Sequence, residues 1–529
     1  MSAIATRTAR EIREALLSGA EIALLDVREE DPHAQGHPLF AANLPLSRLE
    51  LQAPSRLPCR AVPIVVFDDG EDLAQPAARK LQTLGYRDVS LLEGGLEGWR
   101  AAGGEVFRDV NAPSKAFGEL VEARRHTPSL DAEAAQALLQ SDAQVVVLDA
   151  RRYDEYRTMN IPGSISVPGA ELVLRAAALA PDPQTRIVVN CAGRTRSIIG
   201  AQSLINAGLP NPVCALRNGT IGWTLAGQAL EQGSARHFHP EAGRDAARLA
   251  VSREAARRVA ARAGVKRIDP DTLSVWSADR TRTLYRFDVR APQEFRDGHL
   301  PGFLNAPGGQ LVQETDWFAP VRGARVVLVD DDGVRANMTA SWLAQMNVDV
   351  YVLDTPGAFD EMGDAPLDSI APPPVAEVDV ATLASWLERS PAQTCVLDLA
   401  PSATYVAGHI PGAWWILRSR LAQDLPALPE AQRYVLTCGS SALARHAVPE
   451  LAALTGKPVF VLEGGNAAWR ASGLSLSQTA RLASPRTDRY RRPYEGTDAP
   501  VEAMQAYLDW EYGLVEQLRR DGTHGFSVI

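Results

Sequence analysis

One unit is written four times along this chain, and that repetition constrains the fold more than any other feature. Each copy opens on a short apolar strand closed by Asp: Leu24-Leu25-Asp26, Val147-Leu148-Asp149, Tyr285-Arg286-Phe287-Asp288 and Val396-Leu397-Asp398. A turn carrying Pro follows, at Gly36-His37-Pro38, Asn160-Ile161-Pro162-Gly163, Gly298-His299-Leu300-Pro301-Gly302 and Gly408-His409-Ile410-Pro411-Gly412. A second apolar strand then runs into a loop and a helix. A third ends in a Gly turn: Glu93-Gly94-Gly95, Arg217-Asn218-Gly219, Thr355-Pro356-Gly357 and Glu463-Gly464-Gly465. Trp99, Trp223 and Trp469 each stand four residues beyond that Gly, and the third copy lacks this Trp. The strand-end Asp and the first loop residue are 42 positions apart in three copies (26 and 68, 149 and 191, 288 and 330) and 40 apart in the fourth (398 and 438). From that loop residue to the turn Gly the offset is 27 in three copies and 28 in the second (191 and 219). Offsets held this closely mark one supersecondary unit repeated.

Strands alternating with helices imply parallel βα units with right-handed crossovers. In such sheets ligands bind outside the carboxyl ends of the strands, where the loop of each copy falls. The second copy carries the most reactive loop, Val188-Val189-Asn190-Cys191-Ala192-Gly193-Arg194-Thr195-Arg196-Ser197. Val188 and Val189 favour a buried strand. Gly193 lets the loop turn, and Ser197 is placed to cap a helix that begins near it. Cys191 then sits where loop N–H groups and the positive end of a helix converge, a setting that favours a thiolate and would hold an anion on its sulfur. Arg194 and Arg196 add positive charge, and together these features predict a depressed thiol pKa. A free Cys is more often a buried structural residue. Two arginines and a glycine in the next five positions weigh against that reading here.

This loop resembles the active-site loop of the rhodanese sulfurtransferases, in which a Cys carries a persulfide. The D-x-R…G-H-x-P-G pattern before the loop belongs to the same resemblance, which covers most of the chain. It implies an α/β fold of four tandem rhodanese-like domains, each a parallel five-stranded sheet flanked by helices. The corresponding divisions are 1–110, 125–235, 265–365 and 374–478, with a helical connector at 236–264 and a tail with a docking helix at 479–529. It further implies Cys191 as the nucleophile, with Ala192, Gly193, Arg194, Thr195, Arg196 and Ser197 cradling a sulfur donor such as thiosulfate. The acceptor would be cyanide, a small thiol or a protein, and no metal or organic cofactor is implied. Four residues separate Cys191 from Arg196. Protein tyrosine phosphatases place five between Cys and Arg, so this cradle suits a sulfane sulfur better than a phosphate.

The other loops differ in chemistry. Asp68 and Asp330 stand at the Cys position of the first and third units, in acidic loops that cannot carry a persulfide. These units read as inactive, with structural or partner-docking roles; Asp in a solvated turn is a commoner reading than a metal site. The fourth loop, Cys438-Gly439-Ser440-Ser441-Ala442-Leu443-Ala444, begins like that of mercaptopyruvate sulfurtransferases but has Ser441 for Gly, Leu443 for a polar residue, and no Arg. Its unit also has Ala400 where Arg28, Arg151 and Arg290 stand two residues after the strand Asp. Cys438 therefore reads as inactive or weak, a possible second site. In the second unit Asn160 replaces the usual His, a position expected to be structural. Asp149, Arg151 and Glu155 read as a structural ion-pair network.

Composition narrows the remaining choices. The 529 residues carry a net charge of −10, which argues against a general nucleic-acid partner. No apolar run reaches the roughly 20 residues of a membrane span, and the N-terminal stretch lacks a signal-peptide core. Five scattered cysteines without a CxxC pair fit neither a disulfide framework nor a zinc site, and a reducing cytoplasm is the expected compartment. In the connector, Arg244, Arg248, Arg253, Arg257, Arg258 and Arg262 read as a solvated face, and Ala371-Pro372-Pro373-Pro374 as a stiff linker. In the tail, Asp498 and Pro500 signal a final helix whose stripe of Val501, Met504, Leu508, Val515 and Leu518 must dock on its own domains or on a second subunit, as in a homodimer. Two rival functions remain: mercaptopyruvate chemistry at Cys438, and a non-catalytic scaffold or sulfur relay.

Overall fold

Each copy of the repeat folds into a wholly parallel five-stranded sheet, because helical crossovers return the chain to the same end of the sheet before every strand. The computed structural model describes residues 4–141, 143–366 and 368–529. Counted along the chain, the strands of every sheet lie in the order first, fifth, fourth, second, third. In the second unit the central fourth strand Arg186–Asn190 pairs with Val145–Asp149, Val147 facing Val188 and Asp149 facing Asn190. The loop that begins at Cys191 therefore leaves mid-sheet at the carboxyl end. Edge strands such as Ile165–Ser166 and Trp414–Trp415 have two residues each, too few for an apolar pattern to reveal.

The strand-end Asp anchors a clasp. Arg28, Arg151 and Arg290 donate to Asp26, Asp149 and Asp288 at 2.6, 2.8 and 2.6 Å, and also reach the carbonyls of Gly36, Met159 and Gly298. The fourth unit, with Ala400 in place of the arginine, brings Arg470 to the Gly408 carbonyl at 3.0 Å and Asn466 to Asp398 at 2.9 Å. The His of the turn is structural as well. His299 and His409 bond the carbonyls of Phe295 and Tyr405, and Asn160 makes the same bond to Tyr156 O at 3.2 Å.

The units are not independent beads. The first and third share one core, in which Tyr285, Phe287 and Trp342 meet Leu57, Tyr86 and, from the helix Ala112–Arg125, Phe117. The second unit's core takes in Val334 and Met338 of the third, and Ala256 and Val259 of the connector helix Ala246–Arg262. The arginines of the connector are not a solvated face throughout. Arg244 bonds Glu294 (2.9 Å) and Asp331, and Arg253 bonds the Asp332 carbonyl (2.8 Å), because the acidic loop of the third unit lies beside it. The fourth unit has two cores, one of them packed against Leu51 of the first.

The tail forms two helices, Val501–Tyr512 and Leu514–Asp521, rather than one, broken at Gly513. Pro500 stands at the first N-cap, whereas Asp498 pairs with Arg491 instead of capping. Val501 is exposed, but Met504 and Leu508 are buried against Ile221 of the second unit. Leu514 and Leu518 enter the core of the first. The tail thus docks on its own chain. No described helix is long and apolar enough to cross a membrane.

Candidate functional site

Cys191 follows the last strand residue, and the helix Thr195–Ala207 starts four residues later, two before the expected cap. Arg194 holds the N-cap position, and Ser197 lies within the first turn. Helix N–H groups of a first turn have no intrahelical partner. Ser197 lies beside the Cys191 sulfur with both its N–H and its hydroxyl. The hydroxyl donates to Arg194 O at 2.8 Å, which leaves the N–H as the donor facing the sulfur. The Gly turn of the repeat holds the loop from the other side. Thr220 N and Ile221 N bond the carbonyls of Cys191 and Ala192, each at 3.0 Å. Gly219 is required at that contact: its φ is +52°, and a Cβ there would lie 2.3 Å from Cys191 O.

The electrostatics differ from the sequence expectation in two respects. Cys191 is 2% exposed, and burial pushes its thiol up, against the lowering effects of Arg196 and Ser197. Desolvation outweighs the positive charge because only one arginine acts on the sulfur. Arg194 is the other correction. It turns away to Glu119 (2.7 and 2.9 Å), Glu122, Asn218 (3.2 Å) and the ring of Tyr512 (4.2 Å), stapling the loop to the helix Ala112–Arg125 and to the tail. Arg196 pairs with Glu155 at 2.7 and 2.9 Å, and the guanidinium helps hold that carboxyl down at about 2 despite its burial. Glu155 bonds the loop through Arg196 and bears electrostatically on Arg151 of the clasp as well. Beside Arg196 opens a cavity of about 290 Å³, walled by His33 and Arg56 of the first unit, Glu314 and Trp317 of the third, and Arg492 of the tail.

The Asp loops show what the cradle is built to hold. Asp68 Oδ2 accepts from Leu73 N and Ala74 N at 2.6 and 2.8 Å, and Asp330 Oδ2 accepts from Ala336 N at 2.7 Å. Ala74 and Ala336 stand six residues on, as Ser197 does from Cys191. In both units a carboxyl oxygen thus sits on the N–H group equivalent to that of Ser197. The third unit also repeats the Arg196–Glu155 pair as Arg335–Glu294, at 2.6 Å. In the fourth unit Leu443 stands where Arg196 does and is packed into the core, while Ser441 takes a left-handed φ of 72° to start the helix Ala442–Thr455. Cys438 is 5% exposed. Among the described residues no three His, Cys, Asp or Glu side chains are grouped to hold a metal.

The model of the rhodanese-like domain matches residues 8–102, 131–226, 275–355 and 379–472, one span for each sheet. The chain belongs to the rhodanese family. A crystal structure of a thiosulfate sulfurtransferase from Pseudomonas aeruginosa superposes with a TM-score of 0.97 at 64% identity, over 99% of this chain and 100% of that one. The thiosulfate sulfurtransferase of Azotobacter vinelandii is 27% identical over 205 residues, 35% of this chain and 74% of that protein. An HTH-type transcriptional regulator of Mycobacterium tuberculosis is 33% identical over 91 residues; the chain spans 39% of its length.

Within this rhodanese, sequence reasoning missed the tail as part of the site. The helix Val501–Tyr512 lies across the Cys191 loop, so that a Cβ on Gly193 would sit 3.1 Å from Tyr507 and 3.2 Å from Glu511. Lys115, paired with Asp109 at 2.7 Å, sits among Tyr494, Tyr507 and Trp510 and pins the helix there. The only sequence signal is the apolar stripe, whose partner the residues leave open between its own domains and a second subunit.

Proposed function

We propose that the protein is a thiosulfate sulfurtransferase with a single reactive centre at Cys191. The observation that carries this is the shared cradle: the first and third units fill it with a carboxylate, and the second leaves it to a cysteine sulfur with Arg196 alongside. The Cys191 thiolate attacks the outer sulfur of thiosulfate. The donor's S–S bond breaks, its electron pair leaves with sulfite, and a persulfide forms on Cys191. The Ser197 N–H and the Arg196 charge stabilise negative charge on the new terminal sulfur. A nucleophile, cyanide in an assay or a thiol in the cell, then takes that sulfur and returns the electron pair to Cys191. The cavity beside Arg196 is the approach we propose for donor and acceptor, since Arg196 lines it and acts on the Cys191 sulfur. Cys438, without an arginine in its loop, takes no part. The names of the Pseudomonas and Azotobacter relatives support the same donor.

The test is intact mass after thiosulfate treatment. One added sulfur is expected, removable by cyanide and lost in Cys191→Ser, with Cys438→Ser like wild type. Sulfur loading that survives Cys191→Ser and vanishes in Cys438→Ser would move the centre to the fourth unit.

A further inference from the structure

We propose that Glu511, brought over the loop by the tail, shares one proton with Cys191, and that the reactive form of the enzyme carries the charge on sulfur and the proton on Glu511. The inference rests on Cys191 as the sulfur carrier. Glu511 is 0% exposed. Its Oε1 accepts from Tyr507 Oη at 2.8 Å, while Oε2 is buried with no partner and faces the loop at Gly193. A dry, half-unpartnered carboxyl is costly, and its place over the reactive loop is the reason to look for its role there. Two negative charges in this space oppose each other, and Glu511 raises the thiol of Cys191.

The groups around Glu511 are few. Lys115 and Glu119 face it from the helix Ala112–Arg125, Arg194 and Cys191 from the loop, and Tyr507 from its own helix. Asp109 and Tyr494 bear on it through Tyr507. Burial is the largest influence and Glu119 the next, and together they push the carboxyl up to about 8 despite Lys115. On this proposal Cys191 and Glu511 titrate as one pair. Removing the first leaves one negative charge, and the attacking species is the arrangement in which Sγ bears it and the carboxyl is neutral. Removing the second ionises Glu511 as well, which sets a carboxylate against the incoming dianionic donor. Sulfur loading should thus rise with pH and then fall, with the fall due to Glu511.

The experiment measures single-turnover sulfur loading from thiosulfate and iodoacetamide alkylation of Cys191 from pH 6 to 10. The wild type is expected to give a bell for loading. Glu511→Gln keeps the shape and removes the titration. Loading should then lose its alkaline fall, and alkylation at pH values below the wild-type thiol's pKa should become roughly three- to tenfold faster, because a thiolate that no longer faces a carboxylate forms at lower pH. Tyr507→Phe keeps the carboxyl but removes its one hydrogen-bond donor, so Glu511 ionises later and the alkaline limb moves up. This second variant decides the matter even if Glu511→Gln folds poorly. Superimposable loading and alkylation profiles in wild type and both variants would overturn the role of Glu511 while leaving the persulfide intact. Absence of any added sulfur on the wild type would instead overturn the sulfur-transfer reading itself.

Discussion

Arg194 and Arg196 look equivalent in sequence and are opposite in the folded loop. Arg196 is the positive charge that acts on the Cys191 sulfur, and Arg194 is spent on Glu119, Glu122 and Tyr512. Arg196→Met removes a charge that lowers the thiol, so the thiolate should form at higher pH still. Alkylation of Cys191 at pH 8 should slow, and KM for thiosulfate should rise. Arg194→Met should instead leave Glu119, 4% exposed, as a buried carboxyl without its partner. The expected result is a loss of about 3 kcal/mol in urea denaturation. The thiol pKa should change less in this variant than in Arg196→Met. Equal effects of the two variants on alkylation would contradict this division of labour.

At the scale of elements, loop length decides the chemistry. Four residues between Cys191 and Arg196, closed by Thr220 and Ile221 on the carbonyls of Cys191 and Ala192, leave a cradle in which one carboxylate oxygen already spans the equivalent N–H groups of the first unit. A phosphoryl group, with three oxygens around phosphorus, is larger than that seat. The protein should therefore not turn over p-nitrophenyl phosphate, and phosphatase activity that disappears in Cys191→Ser would refute the size argument. The strands, the loop and the Gly turn of this element were legible in sequence because the repeat states them four times. The helix start was not: Ser197 is a good cap by residue type, but the loop's hydrogen bonds to the Gly turn let the helix begin at Thr195. Nor was the thiol's environment legible, since the helix that lies against the loop at Gly193 comes from more than 300 residues away. The single tail helix failed at Gly513, an ordinary break that an apolar stripe passes over.

At the scale of the whole molecule, the first three units and the tail are joined by shared apolar cores, while the fourth meets the first through Leu51 packed on its core and through a buried charge cluster. Arg418 of the fourth unit, 5% exposed, bonds Glu50 of the first at 2.7 and 2.8 Å and Glu450 at 2.7 Å, and Lys80 reaches both carboxylates. Ser419 adds a bond to Glu29 at 2.9 Å. Although burial raises it, Glu50 is held down at about 2 by Arg418 and Lys80, from an ordinary value of 4.5. Its folded pKa is depressed, so its contribution is complete above 4.5 and is lost as pH falls towards 2. Acid should therefore loosen the fourth unit before it unfolds the shared cores of the other three. The linker at Ala371–Pro374 is where the loosened pair should be cut. Limited proteolysis between pH 5 and pH 3, read by mass, should show cleavage near that linker increasing as pH falls. Arg418→Met leaves Glu50 without its main partner and should show the same cleavage already at pH 7, with a weaker dependence on acid. If the linker stays resistant down to the pH at which the whole chain unfolds, in both proteins, the fourth unit is fastened by something other than this cluster.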